Sequence, residues 1–144
     1  MDLTKTYPRS VREKYQGLVQ LGRTIDKGKA ELAGTLGEYR YDCPMDQHLF
    51  EYLGTNGNEF LDAIKKGDAA IESFVKSLLA KKTPAEIEEF NREWLDHGPA
   101  PGSDGEKYFL NLRNEVAPDR TDVKSWPDLL DLDEKRPVPQ RAHA

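Results

Sequence analysis

Between Asp68 and Gly98 the chain twice sets an apolar stripe at helical spacing between residues that start and stop helices. Ile71, Phe74, Val75, Leu78 and Leu79 fall at i, i+3, i+4, i+7 and i+8, which is one face of a helix and has no reading as a strand. Glu72 and Lys76 make an exposed i, i+4 pair, and Asp68 is read as the cap. Thr83, Pro84 and Glu86 then form a capping box with proline at the first helical position, ahead of Ile87, Phe90, Trp94 and Leu95, with His97 and Gly98 as the stop. Segments of this kind cannot pair as strands. The chain is therefore expected to be all-α, a compact single domain of about five to seven short helices with an irregular N-terminal arm. No sheet is expected beyond a short pairing near Tyr39 to Tyr41.

The other segments follow the same grammar. Ser10 is a candidate cap for a short helix in VREKYQGL, and Gly22 predicts a break ahead of a helix over 23–33. On that helix Arg23, Asp26, Lys27 and Lys29 read as a solvated face, with Asp26 and Lys27 pointing about 100° apart. Pro44 begins a helix that carries Met45, Leu49, Tyr52 and Leu53 up to Gly54. Asn58 is read as the cap of a helix with Phe60, Leu61 and Ile64 that ends at Gly67. After the loop GPAPGSDG, a helix is expected over 104–117, and Ser125, Trp126, Pro127 and Asp128 start another that runs through Leu132. The core should include Leu21, Ile25, Leu32, Phe74, Ile87 and Leu112 beside the stripes already named. One domain should span 1–134, and KRPVPQRAHA, 135–144, lacks apolar periodicity and reads as a mobile C-terminal tail.

Charge narrows the function classes. A net charge of −5, with 33% of residues charged in both signs, gives no basic stripe for a phosphate backbone, so nucleic acid is not an expected partner. No apolar run approaches the roughly 20 residues that cross a bilayer, and the N-terminus MDLTKTYPRS lacks a signal-peptide core, so no membrane association is expected. One cysteine cannot form an intramolecular disulfide, which makes a cytoplasmic compartment the default. No GxGxxG, Walker loop, HExxH or GxSxG occurs, and no cofactor is expected.

The chemistry-bearing residues concentrate in GEYRYDCPMDQHLFEYLG, 37–54, which holds the single cysteine, one of three histidines and three of six tyrosines. Asp42, Cys43, Asp46 and His48 are all metal-ligand types, yet His48 lies two residues after Asp46 and points about 200° away, so no metal site is expected. Asp42 is read as the cap of the helix that starts at Pro44. Cys43, at a helix N-terminus, reads either as a nucleophilic thiol or as a small buried apolar residue. Arg12, Asp26, Lys27, Tyr39, Tyr41 and Asp42 come from segments that must meet if the amphipathic faces pack. Arg12, Lys27, Tyr39 and Tyr41 are candidate ligand-binding residues for a small polar or anionic metabolite, with Asp26 and Asp42 as candidate general bases. The other reading is that these groups satisfy one another and pin the arm to the body. A protein partner, met through Trp94 and Trp126 near helix ends, is the alternative function, and whether the chain is an enzyme stays open.

The run PRS…REK…IDK…A…LAGTLGEY…YD, followed by CPMDQHLFEYLG and TPAEIEEFNREWL, resembles the bacterial domain-of-unknown-function family numbered 5069 over roughly the segment from Met1 to Val116. The resemblance implies a compact helical bacterial protein and brings no activity or catalytic residue with it. Gly22 stands where the family pattern implies proline before the arginine of R-x-I-D-K, which leaves the backbone there freer.

Overall fold

A computed structural model describes residues 1–141; Ala142, His143 and Ala144, including the histidine of the expected tail, lie outside the described residues. Seven helices occur among the described residues: α1 (Leu21–Ala33), α2 (Pro44–Leu53), α3 (Gly57–Lys66), α4 (Asp68–Leu79), α5 (Pro84–Leu95), α6 (Asp104–Val116) and α7 (Trp126–Asp133). The fold is all-α. One isolated bridge, Tyr15 to Leu18, replaces the pairing expected near Tyr39. The chain groups into two compact units, Met1–Glu89 and Phe90–Ala144, with α5 crossing from the first to the second.

In the first unit α3 packs on α4, α1 and α2. Gly28 of α1 permits the closest approach, because a Cβ there would collide with Ile64 of α3 and lie 3.3 Å from the Tyr41 ring. Rings continue the contact inward. Tyr41, Phe50, Phe60 and Phe74 follow one another at centroid separations of 6.1, 5.2 and 6.1 Å.

α1 departs most from expectation. Every residue from Leu21 to Gly28 is buried, Arg23, Thr24, Asp26 and Lys27 among them, so the face read as solvated is an interior face. The cause is the N-terminal arm. Residues 1–20 form no helix, and their fully buried Val11, Leu18 and Val19, with Leu3, supply the cover. Gln20 N–H donates to Val11 O at 2.8 Å, and Leu3 N–H donates to Thr35 O at 2.9 Å. Ser10 caps no helix; its Oγ accepts from Arg12 N–H at 3.1 Å in a turn.

Gly22 lies inside α1 rather than at a break. It clears a track for Arg9, whose guanidinium would stand 3.0 Å from a Cβ at that position. Among the expected core residues Leu32 is corrected: it is 45% exposed in the last turn of α1, where Glu31 and Ala33 are also exposed. Phe74, Ile87 and Leu112 are half-buried.

Caps explain the remaining boundaries. Asn56, not Asn58, caps α3, accepting from Glu59 N–H at 2.9 Å while its amide donates to Glu59 Oε1 at 2.8 Å. Gly67 precedes α4 as its cap, which leaves Asp68 in the first turn, paired with Lys29 at 2.9 Å. At α5 the expected box is formed: Glu86 N–H donates to Thr83 Oγ1 at 3.1 Å and Thr83 N–H to Glu86 Oε1 at 3.0 Å.

The second unit has its own core of Phe109, Val123 and Leu129, with Leu112, Trp126 and Leu132 against it. Ser125 caps α7, and the Trp126 ring meets Phe109 of α6 edge-on at 5.0 Å. Trp94 stacks between Phe90 and His97 at 5.9 and 4.6 Å.

Candidate functional site

The site is organised by Asp46, whose carboxylate is fully buried. Cys43 has extended backbone and Pro44 follows it, so α2 begins there, and Cys43 and Asp46 close the reciprocal capping box. This places Asp46 in the first turn of α2, directed back at the chain that enters the helix. Oδ2 accepts from Asp42 N–H at 3.0 Å, from Cys43 N–H at 3.4 Å and from Lys27 Nζ at 2.7 Å. Oδ1 accepts from Thr24 Oγ1 at 2.7 Å and from the Gln20 amide at 3.3 Å. Five donors from three segments thus meet one buried charge, which is what a desolvated carboxylate requires.

Lys27 is the counter-ion, and its side chain is 6% exposed. Its three ammonium hydrogens go to Asp46, to Arg40 O at 3.1 Å and to Cys43 Sγ at 3.3 Å. The three acceptors differ in quality. A carboxylate and a carbonyl are strong, whereas sulfur is a weak acceptor. Cys43, Tyr39, Tyr41 and Asp42 are half-buried, so the sulfur that Lys27 bonds belongs to a partly accessible rim.

Backbone conformation singles out the same place. Gln16, Gln20, Asp42 and Lys135 have positive φ without being glycine, and two of the four, Gln20 at 70° and Asp42 at 63°, donate directly to Asp46. Left-handed backbone at a non-glycine residue costs about 1–3 kcal/mol and persists only where the surroundings over-determine it.

The remaining sequence candidates separate. Asp26, next to Lys27, belongs to another pair: Arg9 Nε and Nη2 reach its two oxygens at 3.1 Å each, and Arg9 N–H adds a third bond at 2.8 Å. Asp42 does not cap α2. Its αL backbone turns the carboxylate onto Gly57, where a Cβ would lie 2.6 Å from Oδ2, so it faces the positive end of α3 instead. Tyr41 donates to Gly57 O at 2.8 Å. Burial, and then the charges of Asp46, Asp42 and Glu31, push its phenol above the ordinary range. Tyr39 lies under the Arg23 guanidinium at 5.6 Å, and Arg12 stays on the arm, half-buried. His48 is exposed, and among the described residues no three metal-ligating side chains converge.

The family described as Domain of unknown function (DUF5069) matches residues 5–136. The chain belongs to this family. No curated protein matches it. The DUF5069 match runs through α7, beyond the segment up to Val116 that carried the resemblance in sequence. It therefore takes in the Asp46 hub and the core of the second unit alike.

Sequence reasoning missed the central role of Asp46 and the parts of Gln20, Thr24 and Arg9. A usable clue was present for Asp46, since Cys43-Pro44-x-Asp46 has the spacing of a capping box with an acidic third position. Nothing local marks Gln20 or Thr24.

Proposed function

We propose that this DUF5069 protein is a small bacterial cytoplasmic protein that binds a polar metabolite at the rim formed by Tyr39, Tyr41, Asp42 and Cys43, above Lys27. The observation that carries this reading is the third hydrogen bond of Lys27. A buried ammonium that spends one donor on a half-buried thiol at 3.3 Å gains by exchanging the sulfur for a ligand oxygen. The αL residues Gln20 and Asp42 beside the hub support it, because strain of this kind concentrates at ligand clamps. The free thiol of Cys43 supports a reducing compartment.

Asp26 has both oxygens engaged by Arg9, which leaves Asp42 as the carboxylate better placed for a general base, so binding is the reading and chemistry would fall to Asp42. The interaction-module reading has less behind it. Tyr108 and Leu110 are exposed on α6, but two residues apart they point about 200° from each other and form no common face.

A thermal-shift screen of polar metabolites tests the proposal. Hits on the native protein should shift more in Cys43→Ala, which frees the Lys27 donor, and less in Cys43→Ser, whose hydroxyl holds it better. Shifts that are indifferent to both changes, and to Tyr41→Phe and Asp42→Asn, would mean that the rim is scaffold.

A further inference from the structure

Residues 136–141, RPVPQR, lie outside every helix, and the second unit holds them through the main chain. The Arg120 guanidinium donates to the carbonyl oxygens of Val138 and Pro139, both at 2.9 Å. Asp122 accepts the Arg141 N–H at 2.8 Å, and Asp128 takes the Arg141 guanidinium bidentately at 3.0 and 2.9 Å. Of the side chains in the segment only that of Val138 is buried; Pro137, Pro139 and Gln140 are exposed.

The groups that address the segment have partners of their own besides it. Arg120 and Asp122 pair at 3.0 and 3.1 Å, and the backbone of Asp128 is fixed by the cap on α7, donating to Ser125 Oγ at 3.3 Å. Two carbonyls and one N–H read by preset polar groups, one apolar anchor and a paired charge at each end are the elements by which a groove recognises an extended peptide. The hold is also modest. The segment's side chains add one buried valine, the pair of Arg136 with Glu134 and an Arg141 pair whose arginine is 40% exposed, and the tether keeps the segment at high local concentration.

We propose that Arg120, Asp122 and Asp128 form a docking groove for an extended basic segment of a partner protein with the pattern Val-Pro-x-Arg, and that residues 136–141 occupy it in cis as an internal competitor. Charge complementarity selects the occupant, since the buried Asp128 carboxylate is paired with an arginine supplied by the segment itself.

The test uses the full chain and a fluorescein-labelled RPVPQR peptide, read by anisotropy. The double variant Val138→Asp, Arg141→Glu should empty the groove and bind the peptide saturably, at least about tenfold tighter than the native chain. Adding Asp128→Asn should remove about tenfold of that gain. Arg141→Ala, which deletes one half-exposed ion pair, serves as the milder opening and should give a smaller gain in the same direction. Absence of any gain in Arg141→Ala and in the folded double variant would overturn the proposal and make the segment a fixed part of the unit. A native dimer that the peptide dissolves would assign the groove to a second copy instead and overturn the partner assignment.

Discussion

Asp46 accepts from five donors, and Lys27 supplies only one of them, so the two halves of this ion pair are not equivalent. Asp46→Ala strands a buried ammonium and should cost about 3–5 kcal/mol, whereas Lys27→Met leaves the carboxylate four neutral donors and should cost about 1–3 kcal/mol. Urea midpoints of the two variants decide it, and the reverse order would mean that Lys27 rather than Asp46 organises the site. Gly22 gives a second test. Gly→Ala inside a helix ordinarily stabilises by about 1 kcal/mol, but a methyl group here meets the Arg9 guanidinium, itself fixed by Asp26. Gly22→Ala should therefore yield no gain in the native chain and recover about 0.5–1 kcal/mol in an Arg9→Ala background, as measured by a double-mutant cycle. Equal effects in both backgrounds would show that Arg9 does not depend on that space. The sequence offers only part of this. That Asp26 and Lys27 point apart follows from helix geometry, but their partners lie 17 and 19 positions away in segments with no period to read.

The first turn of α5 stands on local chemistry, since both bonds of its Thr83–Glu86 box lie at the surface, while Phe90 and Trp94 bury its later turns. Thr83→Ala should cost about 0.5–2 kcal/mol without changing the helical circular dichroism, and an unaltered denaturation midpoint would mean that the box is idle. Such elements were legible because periodicity and caps act over four residues: α4, α5, α6 and α7 lie where their stripes put them. The errors have equally local causes. Asn56 and Asn58 are both good caps, and only Asn56 has a glutamate three residues on to complete the box. Gly22 looked like a breaker because the residue that needs its vacancy, Arg9, comes from the arm. Residues 136–141 carry no pattern because much of what holds them is main chain bonded to Arg120 and Asp122, and the single contacts of Val138 and Arg141 recur at no helical or strand period.

At the scale of the whole chain, the acid and alkaline limbs of stability should rest on different residues. Asp122 in the second unit is held well below its ordinary 3.8 by hydrogen bonds from Arg120 and from the Arg141 N–H. A lowered carboxylate contributes stability that is present above 3.8 and lost as pH falls toward its folded value. Asp2 and Glu86 are lowered as well, each by one threonine at the surface. Tyr41 in the first unit is raised from 10.0, so its contribution is complete below that pH and is lost as pH rises above it. Asp122→Asn should thus flatten the acid limb of a stability profile and leave the alkaline limb, while Tyr41→Phe should do the reverse; one variant altering both limbs would contradict the assignment.

Cys43 is the single cysteine of the chain, and its sulfur takes a bond from Lys27 at the first turn of α2. The sulfur is half-buried, so a rate of colour development with a thiol reagent that stays well below that of an exposed thiol is a clock for how often this end of α2 comes apart. The rate should depend little on urea below the unfolding transition, as expected of a local opening that exposes little new surface. A rate that instead tracks global unfolding would show that the rim moves only when its whole unit does.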